Sequence, residues 1–305
     1  MLRSAIIRVS EASWVERMVR RSRLFRKLVE RFIAGDNLDE AMTAAERLAE
    51  AGFLVTLDYL GENTRSEAEA LAAKATYSAM LERIAQSPHQ AKINISIKLT
   101  QCGLDQGEAF AEQNFRDVLG VAAQLGNFVR VDMEGSAYTQ RTIAMILRVW
   151  SDFKNTGTVL QSYLYRNDDD VEIMVSNGIR TRLVKGAYLE PASVAYPDKA
   201  KTDEAYVRQA KRLMVAGNYP AIATHDEKII AELEAFEKAQ GLDRSTFEYQ
   251  MLYGIRRDLQ QRLLDAGYNV RVYVPFGDSW YPYFTRRLAE RPANMLFILK
   301  SLFKG

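Results

Sequence analysis

Short apolar runs rich in β-branched residues alternate along this chain with longer segments whose apolar residues recur at helical spacing. Short β-branched runs predict strands, and a period of about 3.6 residues predicts amphipathic helices. The predicted strands are 53–58, 93–98, 128–132, 158–161, 180–184, 220–224, 246–250 and 270–274. The helical segments around them are 37–51, 64–86, 108–125, 138–154, 168–176, 203–216, 226–239 and 256–266.

Eight strand–helix units within about 250 residues are typical of a parallel sheet that closes into a (β/α)8 barrel. The alternative is an open doubly wound sheet, which usually carries G-x-G-x-x-G at its first turn. The sequence has neither that motif nor a P-loop. We therefore predict an α/β fold of the TIM-barrel type with extra N-terminal helices. It forms one domain over 1–305, with a helical extension at 1–52 and the barrel at 53–305.

Composition narrows the classes of protein to consider. A net charge of +2 and 48% hydrophobic residues are ordinary for a globular chain and give no basis for nucleic-acid binding. The single cysteine, Cys102, excludes an internal disulfide, and a chain with only two histidines beside it gives no basis for a His/Cys zinc site. There is no signal-peptide pattern and no apolar run of about 18 residues, so we expect a cytoplasmic protein.

The ends of the predicted strands carry the first group of candidate site residues. In such a barrel the ligand site lies at the C-terminal ends of the strands. Taken singly, several of these residues have structural explanations: Asp226 fits a helix N-cap, and Lys98 could simply pair with Asp132. Their convergence on one mouth predicts a ligand site. The polar strand ends are Asp58, Lys98, Asp132, Glu134, Gln161, Arg182, Lys185, Thr224, His225, Asp226, Gln250 and Tyr273.

A second group lies on the helix predicted after the eighth strand. Tyr283, Arg286, Arg287 and Glu290 share one broad face of that helix, because residues three and four apart are neighbours. Two guanidinium groups together can bind a planar carboxylate or phosphate. An isolated Arg-Arg pair is usually solvated surface, but the position of this pair over the barrel mouth favours an anion site.

Several segments together resemble, in order from about Phe53 to Asn294, the motif series of the proline dehydrogenase family. The most specific are RLVKGAY at 182–188 and YFTRRLAE at 283–290. The others lie at 96–100, 131–134, 224–226, 248–254 and 272–277. The resemblance is to the stand-alone bacterial form, without the aldehyde dehydrogenase or DNA-binding parts of bifunctional relatives. It implies a distorted barrel that holds FAD and oxidises L-proline to Δ¹-pyrroline-5-carboxylate by hydride transfer from C5 to flavin N5.

The resemblance also implies a role for each candidate residue. The catalytic residues would be Asp132 and Arg182, with Arg182 near flavin N5. The substrate-binding residues would be Lys98, Leu252, Tyr273, Tyr283, Arg286 and Arg287, with Glu290 as the ion-pair partner that holds the two arginines in place. The flavin would be held by Met133, Gln161, Arg182, Lys185, Gly186, Ala187, Thr224 and His225. No metal is implied. One departure is Leu189, where bifunctional relatives generally carry an aromatic residue.

The partners that the resemblance implies are L-proline, a quinone electron acceptor at the membrane, and a pyrroline-5-carboxylate dehydrogenase that takes over the product. A predicted helix at 15–32 has seven basic residues among apolar ones and could lie peripherally on the inner face of a membrane. Packing on the barrel or in an oligomer interface is the alternative, and we favour packing.

Two other function classes stay open on the sequence. A class I aldolase on the same barrel would use Lys98 or Lys185 as a Schiff-base nucleophile. A non-catalytic carboxylate or phosphate sensor would keep the arginine pair and carry out no redox reaction. Colour separates the three, because only a flavoenzyme is yellow and bleaches with L-proline.

Overall fold

The computed structural model describes residues 29–281 and 283, and within them eight parallel strands form a closed barrel. Each strand pairs with its neighbours in sequence, and β1 pairs with both β2 and β8, which closes the sheet. The predicted (β/α)8 barrel is therefore confirmed. The strands are β1 (Leu54–Tyr59), β2 (Ile93–Ile97), β3 (Val129–Val131), β4 (Thr156–Gln161), β5 (Arg180–Val184), β6 (Ala221–Ala223), β7 (Glu248–Leu252) and β8 (Asn269–Phe276).

Helices surround the barrel. α1 (Leu38–Glu50) precedes β1, and each further helix follows a strand. Short 3-10 turns at Gln90–Lys92 and Arg244–Thr246 lead into β2 and β7. The helices after β1 to β7 are α2 (Glu67–Ala85), α3 (Glu108–Gln124), α4 (Ser136–Trp150), α5 (Asn167–Asn177), α6 (Lys199–Ala216), α7 (Glu227–Gln240) and α8 (Arg257–Asp265).

α1 packs against both β1 and β8, in the groove where the barrel closes. Asn37 is the N-cap of α1, and its side chain accepts a hydrogen bond from the backbone N–H of Glu40. In a regular barrel the helix after the last strand completes the outer ring at this groove. Here α1 covers the groove, and Tyr283, which is buried and follows β8, lines the cavity at the barrel mouth. The buried residues of α1 are Ala41, Met42, Ala45 and Ala49.

The barrel interior is polar over much of its length. Side chains alternate between the two faces of a strand, and the apolar ones here face the helices. Inside, Thr56 donates to Asn94 at 2.5 Å, and Arg271 is ion-paired with Glu248 at 2.8 Å. Most TIM barrels fill this space with branched apolar residues. A polar interior therefore requires a continuous set of hydrogen bonds, because a buried polar group without a partner is costly.

No helix among the described residues is long and apolar enough to cross a bilayer. Almost all of the predicted helix at 15–32 lies outside the described residues, as do Arg286, Arg287 and Glu290.

Candidate active site

The C-terminal ends of the strands open into a cavity of about 1710 Å³. Except for Glu134, every sequence candidate among the described residues lines this one cavity, although together they come from the ends of all eight strands and the loops after them. Their roles stay predictions. The candidates that the cavity brings together are Asp58, Lys98, Asp132, Met133, Gln161, Arg182, Lys185, Gly186, Ala187, Thr224, His225, Asp226, Gln250, Leu252, Tyr273 and Tyr283.

Asp132 is the centre of the polar cluster on the cavity floor. It directly follows β3, where its N–H donates to the carbonyl of Ile97 at 2.8 Å and continues the sheet pairing. Its Oδ1 accepts from Arg182 Nη1 at 2.7 Å, and its Oδ2 accepts from the Tyr273 hydroxyl at 2.6 Å. Arg182 also lies over the Tyr273 ring, 5.0 Å from its centroid. One carboxylate thus links candidates from β3, β5 and β8.

Lys98 is paired differently from what the sequence suggested. Its Nζ lies 2.7 Å from Asp58 Oδ1 and 3.8 Å from Asp132 Oδ2, so Asp58 is its principal partner. Burial acts to lower the pKa of Lys98, but the two carboxylates outweigh burial and raise it. Lys98 is therefore a fixed cation. The sequence predicted Asp58 as a polar strand end but assigned no role to it. Its position two residues after Thr56 on β1 indicated that its side chain faces the barrel interior, where it can meet Lys98.

Arg182 has two further partners that sequence reasoning did not assign. Its Nε donates to Gln250 Oε1 at 2.5 Å, and its Nη2 lies 3.3 Å from Ser96 Oγ. With Asp132, these contacts hold the guanidinium group from β2, β3 and β7. Gln250 and Ser96 occupy inward positions of their strands, so the period-2 alternation of β2 and β7 was the signal for both.

Other candidates are held by the loops around them. His225 Nε2 accepts the backbone N–H of Leu252 at 2.9 Å, which ties the loop after β6 to the end of β7. Lys185 lies between two carboxylates, 2.6 Å from Asp203 and 3.0 Å from Asp226. Asp226 is also the N-cap of α7, as the sequence indicated.

Glu134 is a buried carboxyl group next to the cavity floor. It accepts hydrogen bonds from the hydroxyl and the N–H of Thr100, at 2.5 and 3.2 Å. Its backbone carbonyl accepts from Gln161 Nε2 at 2.9 Å. Burial raises the pKa of Glu134 to about 7, although the Thr100 hydrogen bonds act to lower it. The carboxyl group thus joins the loops that follow β2 and β3, and the backbone carbonyl of the same residue joins the second loop to the end of β4.

The cavity extends beyond the strand ends into the space between α6 and α7. One face of α6, from Lys199 through Asp203 and Arg208 to Lys211, lines this extension, and Lys228 of α7 lines its other side. Leu189, the residue that departs from the family pattern, is 63% exposed and is not among the residues that line the cavity.

Comparisons with known proteins identify the same family that the sequence motifs resemble. A family model for proline dehydrogenase matches residues 41–300. Proline dehydrogenase 1 of Bacillus subtilis is 42% identical over 274 residues, which are 90% of this chain and 90% of that protein. Proline dehydrogenase of Deinococcus radiodurans is 40% identical over 312 residues, which cover 100% of this chain and 99% of that protein.

Solved structures of two other proteins share the fold of this chain. Proline utilization A (PutA) from Bdellovibrio bacteriovorus aligns with a TM-score of 0.80 at 26% identity, over 87% of this chain and 32% of that chain. PutA from Bradyrhizobium japonicum aligns with a TM-score of 0.76 at 22% identity, which is evidence for the fold alone. The family resemblance inferred from the motifs is confirmed by the family model and by the two relatives that match over nearly their whole length. The chain belongs to the proline dehydrogenase family.

Proposed function

We propose that this protein is an FAD-dependent proline dehydrogenase, which oxidises L-proline to Δ¹-pyrroline-5-carboxylate and passes the electrons to a quinone. The observation that carries the proposal is the hydrogen-bonded and ion-paired cluster of Arg182, Asp132, Tyr273 and Lys98 on the floor of a cavity of about 1710 Å³. Typical small-molecule pockets have about 300–1,000 Å³. The larger volume suits a dinucleotide cofactor together with a small amino acid.

The residues of the cavity fit a flavin dinucleotide. The extension between α6 and α7 offers Arg208, Lys211 and Lys228, alternating with carboxylates, and such cations bind phosphate oxygens. Met133, Gln161, Thr224 and His225 line the part nearer the strand ends. When bound, the flavin supplies the redox chemistry by accepting the hydride from proline C5. Arg182 would stabilise the negative charge that develops there.

The substrate side is proposed to lie over Lys98 and Tyr273. The Lys98 ammonium group adds a positive charge for the proline carboxylate, and Leu252, Tyr273 and Tyr283 form an apolar wall for the ring. Such a wall discriminates by about 1–3 kcal/mol per methylene group. The proposed carboxylate clamp, Arg286 and Arg287 with Glu290, lies outside the described residues.

Asp132 is proposed to orient its neighbours and not to remove a proton. Both of its carboxylate oxygens already accept hydrogen bonds, from Arg182 and Tyr273. We propose that proline binds with its amine already neutral. The rate on proline should then rise with pH until the amine is titrated.

The electron acceptor and the fate of the product complete the proposal. A quinone dissolved in the membrane requires at least peripheral contact with it, and a pyrroline-5-carboxylate dehydrogenase would take over the product.

The aldolase alternative is disfavoured by the charges around both lysines. A Schiff-base lysine must lose its proton, which burial or a neighbouring cation promotes. Lys98 is instead held between Asp58 and Asp132, which raise its pKa, and Lys185 lies between Asp203 and Asp226.

Flavin absorbance of the purified full-length chain tests the proposal. We expect a yellow protein whose visible bands are lost on anaerobic addition of L-proline and return with a soluble quinone; D-proline serves as the control. A yellow protein that L-proline leaves unchanged would contradict the proposed reaction and favour a sensor. A colourless protein that borohydride traps with a carbonyl substrate would establish the aldolase.

A further inference from the structure

A series of buried hydrogen bonds runs through the barrel interior to Arg182. Arg271 Nε donates to Glu248 Oε1 at 2.8 Å, and Gln250 Nε2 donates to the same oxygen at 2.5 Å. The other end of the Gln250 amide, Oε1, accepts from Arg182 Nε at 2.5 Å. Arg182 in turn donates to Asp132 at 2.7 Å. All of these side chains are nearly fully buried except that of Asp132, which is 13% exposed.

The direction of the Gln250 amide is determined by its two neighbours. An ionised carboxylate can only accept hydrogen bonds, and a guanidinium group can only donate them. The NH₂ of Gln250 must therefore face Glu248, and its carbonyl oxygen must face Arg182. An amide between a fixed acceptor and a fixed donor has one satisfied orientation, and that orientation is the one in the structure.

Glu248 keeps its charge although it is buried. Burial acts to raise its pKa, but Arg271, the Gln250 hydrogen bond and Arg130 together lower it. Arg271 is itself held across the closing strand pair, where its Nη1 donates to the carbonyl of Val55 at 2.8 Å. The far end of the series is thus anchored in the backbone of β1.

The catalytic consequence depends on how accurately Arg182 is placed. A free arginine side chain has about 2 kcal/mol of rotamer entropy, so a single ion pair does not fix its plane. A displacement of about 1 Å in an active site can cost about 10²-fold in rate. The contacts with Asp132 and Ser96 leave the Nε edge open, and Gln250 holds that edge.

We propose that Gln250 is a positioning residue that, with Glu248 behind it, fixes the guanidinium plane of Arg182 against Asp132. The inference rests on the proposed function in so far as Arg182 acts in proline oxidation. Gln250 does not take part in the reaction itself; it acts through Arg182.

A double-mutant cycle tests this action through Arg182. Gln250→Met keeps the length of the side chain and removes both hydrogen-bonding groups. We expect it to lower kcat on proline about 10- to 100-fold, with KM changed less than about threefold, and to shift the flavin midpoint potential to more negative values. In an Arg182→Met background the same change should lower kcat less than about twofold, because coupled residues are non-additive. Gln250→Asn keeps an amide on a shorter side chain, and its kcat should lie between those of the wild type and Gln250→Met. This variant tests the proposal if Gln250→Met does not fold.

Gln209→Leu is the matched control. Gln209 is an equally buried glutamine on α6, bonded to Asn167 and Asp168, and it is not among the cavity-lining residues. Its loss should lower stability and leave kcat and the midpoint potential unchanged. An equal loss of kcat from Gln250→Met in both backgrounds, or a loss of stability alone, would overturn the proposal.

A third measurement separates this inference from the proposed function. The Nε–H resonance of Arg182 in ¹⁵N NMR spectra should be sharp in the wild-type chain and broadened in Gln250→Met. That readout needs no turnover. If the wild-type chain fails to oxidise proline, the proposed function fails while the resonance still decides whether Gln250 orders Arg182. An unchanged resonance would refute the positioning role.

Discussion

Gly186 illustrates how a single position can be restricted from two directions. Its φ is +121°, and a Cβ atom there would lie 2.4 Å from the ring of Tyr163. We expect Gly186→Ala to lower the free energy of unfolding by about 1–3 kcal/mol, because an alanine would be both strained and crowded. Gly120→Ala on α3 is the matched control; nothing lies within 4 Å of its Cβ, and it should be neutral or stabilising by up to about 1 kcal/mol.

Urea unfolding of the two variants measures this difference. Equal midpoints for Gly186→Ala and the wild type would mean that neither the positive φ nor the contact with Tyr163 costs stability. The motif predicted Gly186 for close backbone approach to a flavin. The structure adds a reason that holds without any ligand, and only the tertiary position of Tyr163 could have supplied it.

The partner of Lys98 marks the limit of sequence reasoning at the residue scale. Asp58 and Asp132 both end strands beside Lys98, and the residue pattern predicts that all three meet. Which carboxylate is closer depends on the stagger of three strands, with Asp58 level with Ser96 and Lys98 two residues beyond it. A pattern within one strand contains no information on that stagger.

At the scale of elements, Glu134 joins the loops after β2 and β3 through Thr100 and makes their stability depend on pH. Its pKa is raised to about 7 from a usual value of 4.5, so the folded chain binds the proton more tightly than the unfolded chain. The contribution of Glu134 to the free energy of unfolding is therefore fully present below about pH 4.5. It is lost as pH rises towards 7, and the loss is about 2–3 kcal/mol.

Glu134→Gln mimics the protonated carboxyl group and should remove this dependence. We expect the variant to match the wild type near pH 5 and to exceed it in free energy of unfolding near pH 8, as measured by urea titration at both values. Comparing the two proteins at each pH cancels the other titrating groups. A variant that is less stable by the same amount at both pH values would show that the carboxylate is bound ionised.

Element types were predicted better than element ends. α6 was expected from residue 203, but it begins at Lys199 because the Asp198 side chain accepts the N–H of Ala200 as an N-cap. The segment before 203 lacks an apolar period, so periodicity could not find that turn. The strands, in contrast, each overlap their predicted ranges, since a buried parallel strand needs a continuous apolar run.

For the whole molecule, the count of eight strand–helix units was sufficient to predict a closed barrel. The pattern did not reveal which helix covers the groove between β8 and β1. An amphipathic period shows that a helix has a buried face, but not which surface that face meets. We propose that 1–305 is one domain, with 1–52 as an N-terminal extension whose helix α1 completes the outer layer of the barrel.

The position of α1 predicts that the barrel and this helix unfold together. Met42 of α1 and Met80 of α2 are both fully buried, so Met80→Ala is a matched control within the outer layer. Each substitution to alanine should lower the free energy of unfolding by about 2–5 kcal/mol and leave a single unfolding transition. Urea unfolding followed by circular dichroism measures the transition, and limited proteolysis shows whether α1 becomes accessible. If α1 were a detachable extension, Met42→Ala would expose α1 to protease and leave the main midpoint unchanged. Equal shifts of the unfolding midpoint in both variants would show that the helix before β1 stabilises the closed barrel as much as a helix between its strands does.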